Sequence, residues 1–129
     1  MNIPANLLYA ATHEWVQFLD NGRARIGISD HAQEAMGDVV FINICDEGEV
    51  VTAGDVFGDV ESVKAVSDLL SPVDGTVAGV NEEVLSAPEL LNADPYHSWL
   101  IELEDAKENP ALMDASAYAD YLTQEQLQG

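Results

Sequence analysis

The sequence predicts a mostly β fold, a compact sandwich or barrel-like body of short antiparallel strands with small peripheral helices and a C-terminal helix. Three observations carry that prediction. Branched and aromatic residues gather in short runs, Gly, Pro, Asn and Asp punctuate those runs, and helical periodicity is sustained only near the chain end. A chain of 129 residues suits one domain. That domain is expected to span residues 1–129, with a core over about 9–104 and a helical segment over about 110–127.

Trp15 to Phe18 and Ala24 to Ile28 read as a hairpin, because Asp20, Asn21 and Gly22 between them supply the positive φ that tight turns need. A short helix follows from about Asp30 to Met36, with Asp30 as its cap, Gln33 completing a capping box and Gly37 ending it. Val39 to Ile44 is a strand rich in branched residues. Asp46 to Gly54 reads as turns around the extended piece Val50 to Thr52. Asp55 to Val60 is strand-like, Glu61 to Asp68 interrupts the pattern, and Leu69 to Pro72 and Thr76 to Val80 resume it around Asp74-Gly75. Pro72, having no amide donor, needs an edge or a strand end. Ser86, Pro88 and Glu89 mark a short helix to about Leu91. Trp99 to Glu104 is a last strand that closes the core, and Asn109-Pro110 starts a terminal helix whose apolar face is Tyr118, Tyr121 and Leu122.

Charge narrows the function classes. With 24 acidic residues against four Lys and Arg, the formal net charge is −20, and four basic residues cannot build the positive footprint that a nucleic acid requires. The same repulsion disfavours an anionic membrane surface and favours a monomer, while the field can steer the chain toward basic patches on partner proteins. The N-terminus, Met1 to Ala11, shows no signal or transit pattern, and no segment has transmembrane length. Cys45 stands alone, which excludes an internal disulfide and fits a reducing cytoplasm.

Of the two lysines, Lys107 lies in an acidic linker and needs no explanation. Lys64 lies midway between strand-like runs, in Glu61-Ser62-Val63-Lys64-Ala65-Val66-Ser67-Asp68, and the near-symmetric placement of Gly54 and Gly75 around it suggests the tip of a folded-back unit. A tip keeps the amine in water, which argues against Schiff-base chemistry and for recognition by another enzyme. On these residues alone, an ordinary loop lysine is the better explanation of the position.

The sequence resembles the H-protein family of the glycine cleavage system, within the lipoyl and biotinyl carrier class. The matching stretches include His13-Glu14-Trp15-Val16, Gly27-Ile28-Ser29-Asp30-His31-Ala32-Gln33, Met36-Gly37-Asp38-Val39, Val60-Glu61-Ser62-Val63-Lys64-Ala65, Ser71-Pro72-Val73-Asp74-Gly75, Pro88-Glu89-Leu90-Leu91-Asn92 and Asp94-Pro95-Tyr96. The resemblance covers about residues 9–127. It implies a flattened barrel or sandwich hybrid with the modified lysine on a hairpin turn, and a non-catalytic carrier rather than an enzyme. Lys64 would bear lipoate in amide linkage, and Glu61, Val63, Ala65 and Asp68 would help other proteins recognise the turn. His13, Glu14, Trp15 and Asp30 are candidates for the surface that receives the arm, or for its support.

The implied partners are the pyridoxal-phosphate-dependent glycine decarboxylase (P protein), the folate-dependent aminomethyltransferase (T protein) and dihydrolipoyl dehydrogenase (L protein). Lipoate ligase, or octanoyl transferase with lipoyl synthase, would install the cofactor. Alternative roles are a lipoyl or octanoyl relay to 2-oxoacid dehydrogenase subunits, or an unmodified binding module. One departure from the family pattern is Tyr96-His97-Ser98-Trp99, a stretch one residue shorter than usual and without glycine.

The remaining reactive side chains suggest no second chemistry. His13, His31 and His97 are far apart in sequence and fit no ligand spacing, so no metal site is expected. Cys45 reads as packing within the apolar run from Val39, and the acids Asp46, Glu47 and Glu49 read as a solvated face.

Overall fold

The computed structural model describes residues 1–128. In chain order the elements are β1 (Leu8–Tyr9), β2 (Glu14–Phe18), β3 (Ala24–Ile28), α1 (Asp30–Met36), β4 (Val39–Ile44), β5 (Val50–Val51) and β6 (Val56–Ser62). They continue with β7 (Val66–Leu70), β8 (Gly75–Val80), α2 (Glu82–Ser86), α3 (Leu90–Ala93), β9 (Ile101–Glu104) and α4 (Ala115–Gln128). A six-stranded sheet has the order β1-β2-β3-β9-β8-β5, and a three-stranded sheet has the order β4-β6-β7.

All the strand pairs are antiparallel, as predicted, but the two sheets do not close into a barrel. They pack on one shared core. Val39, Ile42, Phe57, Val60 and Leu69 from the small sheet join Ile26, Ile28, Val77, Ile101 and Leu103 from the large one. Side-chain burial therefore holds the layers together, while β4 and β7 remain hydrogen-bonding edges of their own sheet.

A second cluster joins the chain ends. Tyr9, Trp15 and Tyr118 are fully buried with Leu7 and Leu122 around them, so this cluster draws on residues outside the stretch 9–104. The rings of Tyr9 and Tyr118 stack with centroids 4.5 Å apart and planes 3° from parallel. Trp15 lies over Gly27 on the neighbouring strand, where a Cβ would come within 2.6 Å of the indole. Its Nε1–H donates to the Pro95 carbonyl at 3.1 Å.

Several local expectations need correction. Ser29, not Asp30, caps α1: its backbone is extended and its Oγ accepts from Ala32 N at 3.2 Å. Asp30 is then the first helical residue, and its carboxylate accepts from Gln33 Nε2 and from the Asn2 amide.

The segment Glu61 to Asp68 does not interrupt the sheet, since β6 runs to Ser62 and β7 starts at Val66. The acids there stand on the exposed face, where Asp59 pairs with Asp68 and Glu61 with Val66, and an antiparallel sheet accepts polar residues on a wet face. Leu69 to Pro72 accordingly gives way to a strand ending at Leu70, with Pro72 beyond it.

The helix expected from Ser86 to Leu91 is instead two short ones. Pro88 falls in the gap between them, and Ser86 closes α2 rather than starting a helix. Trp99 precedes its strand and stays half-buried beneath the Arg25 guanidinium, 4.8 Å from the ring centroid. Asn109-Pro110 forms a turn, with Asn109 Oδ1 accepting from the Ala111 amide. The last helix begins after Asp114, whose Oδ1 accepts from Ala117 N at 2.8 Å and whose carbonyl accepts from Tyr118 N.

Candidate functional site

β6 and β7 form a hairpin with Val63, Lys64 and Ala65 at its tip, all three exposed. The chain folds back around this point in nested pairs, from Val50↔Thr76 in one sheet to Glu61↔Val66 in the other. Gly54 N–H and the Ser71 carbonyl, 2.8 Å apart, close the base of the hairpin, while Gly75 pairs with Val51 in the larger sheet.

One hydroxyl organises the tip. Ser62 Oγ accepts from the amides of Lys64 at 3.2 Å and Ala65 at 3.3 Å, and can donate to the Ala65 carbonyl at 3.3 Å. The backbone adds Ser62 N–H to Ala65 O at 2.9 Å and Val63 N–H to Asp38 O at 3.0 Å. The second bond moors the tip to the segment between α1 and β4.

Gly37, in that segment, lies under the lysine: a Cβ placed on it would sit 3.2 Å from Lys64 Cε. Its φ of 76° and ψ of −157° fall in a region that is essentially reserved for glycine. Asn92 fixes this backbone from α3, its Nδ2 donating to the Gly37 carbonyl at 2.8 Å and its Oδ1 accepting from Val39 N at 2.9 Å. Gly37 thus does more than end the helix, and the lysine stem rests on the space its missing side chain leaves.

Beside Lys64 opens a cavity of about 350 Å³ whose lining includes Thr12, His13, Glu14, His31, Ser67 and Asp68. Glu14 is the unusual member, an acidic residue only 3% exposed. Burial pushes its pKa up to about 7, against the opposing effects of hydrogen bonds from the Thr12 hydroxyl and the Leu70 amide. A carboxyl group so placed can accept a proton near neutral pH or, when ionised, hold a small cation at the cavity wall.

Of the residues singled out from sequence, Lys64, His13, Glu14, Ala65 and Asp68 border this cavity together. Val63 points into solvent at 66% exposed, and Glu61 lies on the hairpin without lining the cavity. Trp15 is core, and Asp30 ties down the N-terminal segment. The hydrogen bond from Asn2 is the chief reason that the Asp30 carboxyl is held below its ordinary pKa. Cys45 is half-buried against the main core, and burial raises its thiol to about 11. Sequence reasoning passed over Ser62, Asn92 and Thr12 as site-forming residues. Their only signal was a polar residue inside a matched stretch or beside one.

Two of the three histidines, distant in sequence, meet in the fold, while His97 stands apart beside Asp94. His13 and His31 have ring centroids 4.5 Å apart, and His13 Nδ1 lies 2.8 Å from the Tyr118 hydroxyl. Among the described residues, no helix is long and apolar enough to cross a membrane.

Comparison with known proteins identifies the family and matches the fold. A 52% identical relative, glycine cleavage system H protein 2 of Pseudomonas putida, aligns over 121 residues, 91% of this chain and 94% of its own. The glycine cleavage system H protein of Acidobacterium capsulatum is 47% identical over 127 residues, 97% of this chain and 98% of its own. The crystal structure of a glycine cleavage system H protein from Mycobacterium marinum superposes with a TM-score of 0.86 at 38% identity, covering 94% of this chain and 99% of that one. The family model described as glycine cleavage H-protein matches residues 7–125, and the chain belongs to that family.

Proposed function

We propose that Lys64 is the lipoyl attachment site of a carrier that works in glycine cleavage, and that the adjoining cavity receives the end of the arm. The chain is a non-catalytic, lipoylated carrier component of that system, shuttling its aminomethyl intermediate, as the family match indicates. Its family role implies work alongside the P, T and L proteins.

The observation that carries the assignment to Lys64 is its place at an exposed three-residue tip with its stem over Gly37. A modifying enzyme can reach an amine there, and an attached chain would leave the surface beside the 350 Å³ cavity. Bound there, the lipoyl group supplies a reversible disulfide and a sulfur that carries the intermediate.

What the protein contributes is position. Ser62 and Asp38 hold the tip, Gly37 and Asn92 shape the surface beneath it, and Glu14 offers a buried carboxylate to a cationic group in the cavity. Amide formation removes the lysine charge, so an arm entering a partner's pocket carries no ammonium, while the acidic body remains outside. The net charge of −20 favours docking on basic partner surfaces and supports a monomer. Lipoate ligase, or octanoyl transferase with lipoyl synthase, is the proposed source of the modification. Glu61 and Asp68, acids on the hairpin's exposed face, are proposed contacts for these enzymes.

Intact-mass analysis of protein made in a lipoate-competent cell tests the assignment. A gain of about 190 Da confined to the peptide containing Lys64 is expected. In Lys64→Arg the gain should vanish while stability stays within about 0.5 kcal/mol, because an exposed tip contributes little packing. An unmodified parent chain, in cells that fully modify a control lipoyl domain, would overturn the reading.

A further inference from the structure

We propose that His13, His31 and Glu125 form a site for one divalent transition-metal ion, Zn²⁺ by preference, at the wall of the cavity beside Lys64. Each residue offers one donor atom, and the three donors lie within 4.8 Å of one another. Two imidazoles and a carboxylate suit Zn²⁺ and its neighbours in the first transition row, and suit Mg²⁺ or Ca²⁺ poorly because those ions prefer oxygen.

The carboxylate supplies an independent argument. Glu125 Oε1 is itself shielded from solvent, although its side chain is 36% exposed, and it faces His13 Nε2 at 3.2 Å. With the ring proton on Nδ1 two acceptors face each other there, and a cation shared between them satisfies both atoms.

His13 is also held as a ligand should be. Its other nitrogen, Nδ1, is 2.8 Å from the Tyr118 hydroxyl, which itself contacts Ser29 Oγ at 2.8 Å, so the ring is fixed from behind and Nε2 faces the carboxylate. Its backbone φ is +78°, a region that few side-chain-bearing residues adopt, and its ring faces His31 of α1 and Glu125 of α4.

Bonds of about 2.0–2.1 Å in a tetrahedron place donors about 3.3 Å apart. The His13–Glu125 pair already has that spacing at 3.2 Å, and the half-buried His31 ring must rotate to bring its donor in from within 4.8 Å. Three protein ligands leave a fourth position, and because His13 and His31 both line the cavity, that position belongs to water or a ligand within it.

Calorimetric titration of the full chain with ZnCl₂ tests the site, in a Cys45→Ser background that removes the lone thiol. One ion per chain with a Kd of about 10 µM or tighter is expected, weakened by about tenfold or more in His13→Ala, His31→Ala and Glu125→Gln. His97→Ala, at an exposed histidine paired with Asp94, should leave binding unchanged, as should millimolar Mg²⁺. Co²⁺ in place of Zn²⁺ should show the visible bands of a four-coordinate ion, absent in His31→Ala. Because His31 is half-buried, its variant carries the test if His13→Ala melts early in EDTA. Lys64→Arg should bind normally, which separates this site from the carrier assignment. Weak binding of several ions, equal in all variants, would place Zn²⁺ on the acidic surface and overturn the proposal, as would no saturation below about 100 µM.

Discussion

Lys64 and Gly37 are in contact across 27 residues of sequence: the lysine Cε lies 3.2 Å from where a Gly37 side chain would begin. Two demands converge on that glycine, a backbone conformation closed to other residues and a floor for the lysine stem.

Gly37→Ala should therefore lower stability by about 1–3 kcal/mol. It should also push the lysine stem outward. Chemical denaturation measures the first effect, and the fraction of chain lipoylated at limiting ligase measures the second. Unchanged stability would mean that the turn relaxes freely.

Ser62→Ala removes the acceptor shared by the Lys64 and Ala65 amides. These groups are near water, so the stability loss should stay around 0.5–1.5 kcal/mol. Amide hydrogen exchange at residues 63–65 should accelerate, while exchange in the core strands stays as it was. The expected functional result is slower lipoylation without loss of the fold.

Glu14 gives stability a pH dependence of definite sign. Its folded pKa of about 7 lies above its ordinary value of 4.5, so folding favours the protonated form. That contribution is fully present below pH ~4.5 and is lost as pH rises through ~7. Glu14→Gln, permanently neutral, should gain on the parent chain across this window by up to about 3 kcal/mol. Denaturation midpoints of both proteins between pH 4.5 and 8, with a chelator present, measure the difference. A gap independent of pH would show that the carboxyl group titrates at an ordinary value.

Elements with a strong local pattern were legible. The ranges Ala24–Ile28, Asp30–Met36 and Val39–Ile44 are found where branched runs and a terminal glycine place them, although the cap of the helix is Ser29 and not Asp30. The hairpin strands were harder to see because Asp59, Glu61 and Asp68 stand on a wet face and dilute the β pattern. Asn109-Pro110 misled because a proline that can begin a helix can equally sit in a turn, and only the bonds made by Asp114 distinguish the two.

Within the site, Lys64 was visible as an oddly placed residue, and its assignment came from resemblance. The cavity was not visible at all. His13 and His31 meet because Ser29 N–H donates to the His13 carbonyl at 2.9 Å, joining the start of β2 to the start of α1. No local periodicity encodes a contact of that kind.

The stacking of Tyr118 on Tyr9 makes the terminal helix a latch. The phenol that fills the second core cluster also reaches Ser29 and His13 through its hydroxyl. Terminal segments open by local unfolding at lower free energy than the core. When the 14-residue helix α4 lifts, the cap of α1 loses its partner and His13 its support in the same event. A substitution that frays α4 should therefore loosen His13, and with it one wall of the cavity beside the lysine, without touching the hairpin.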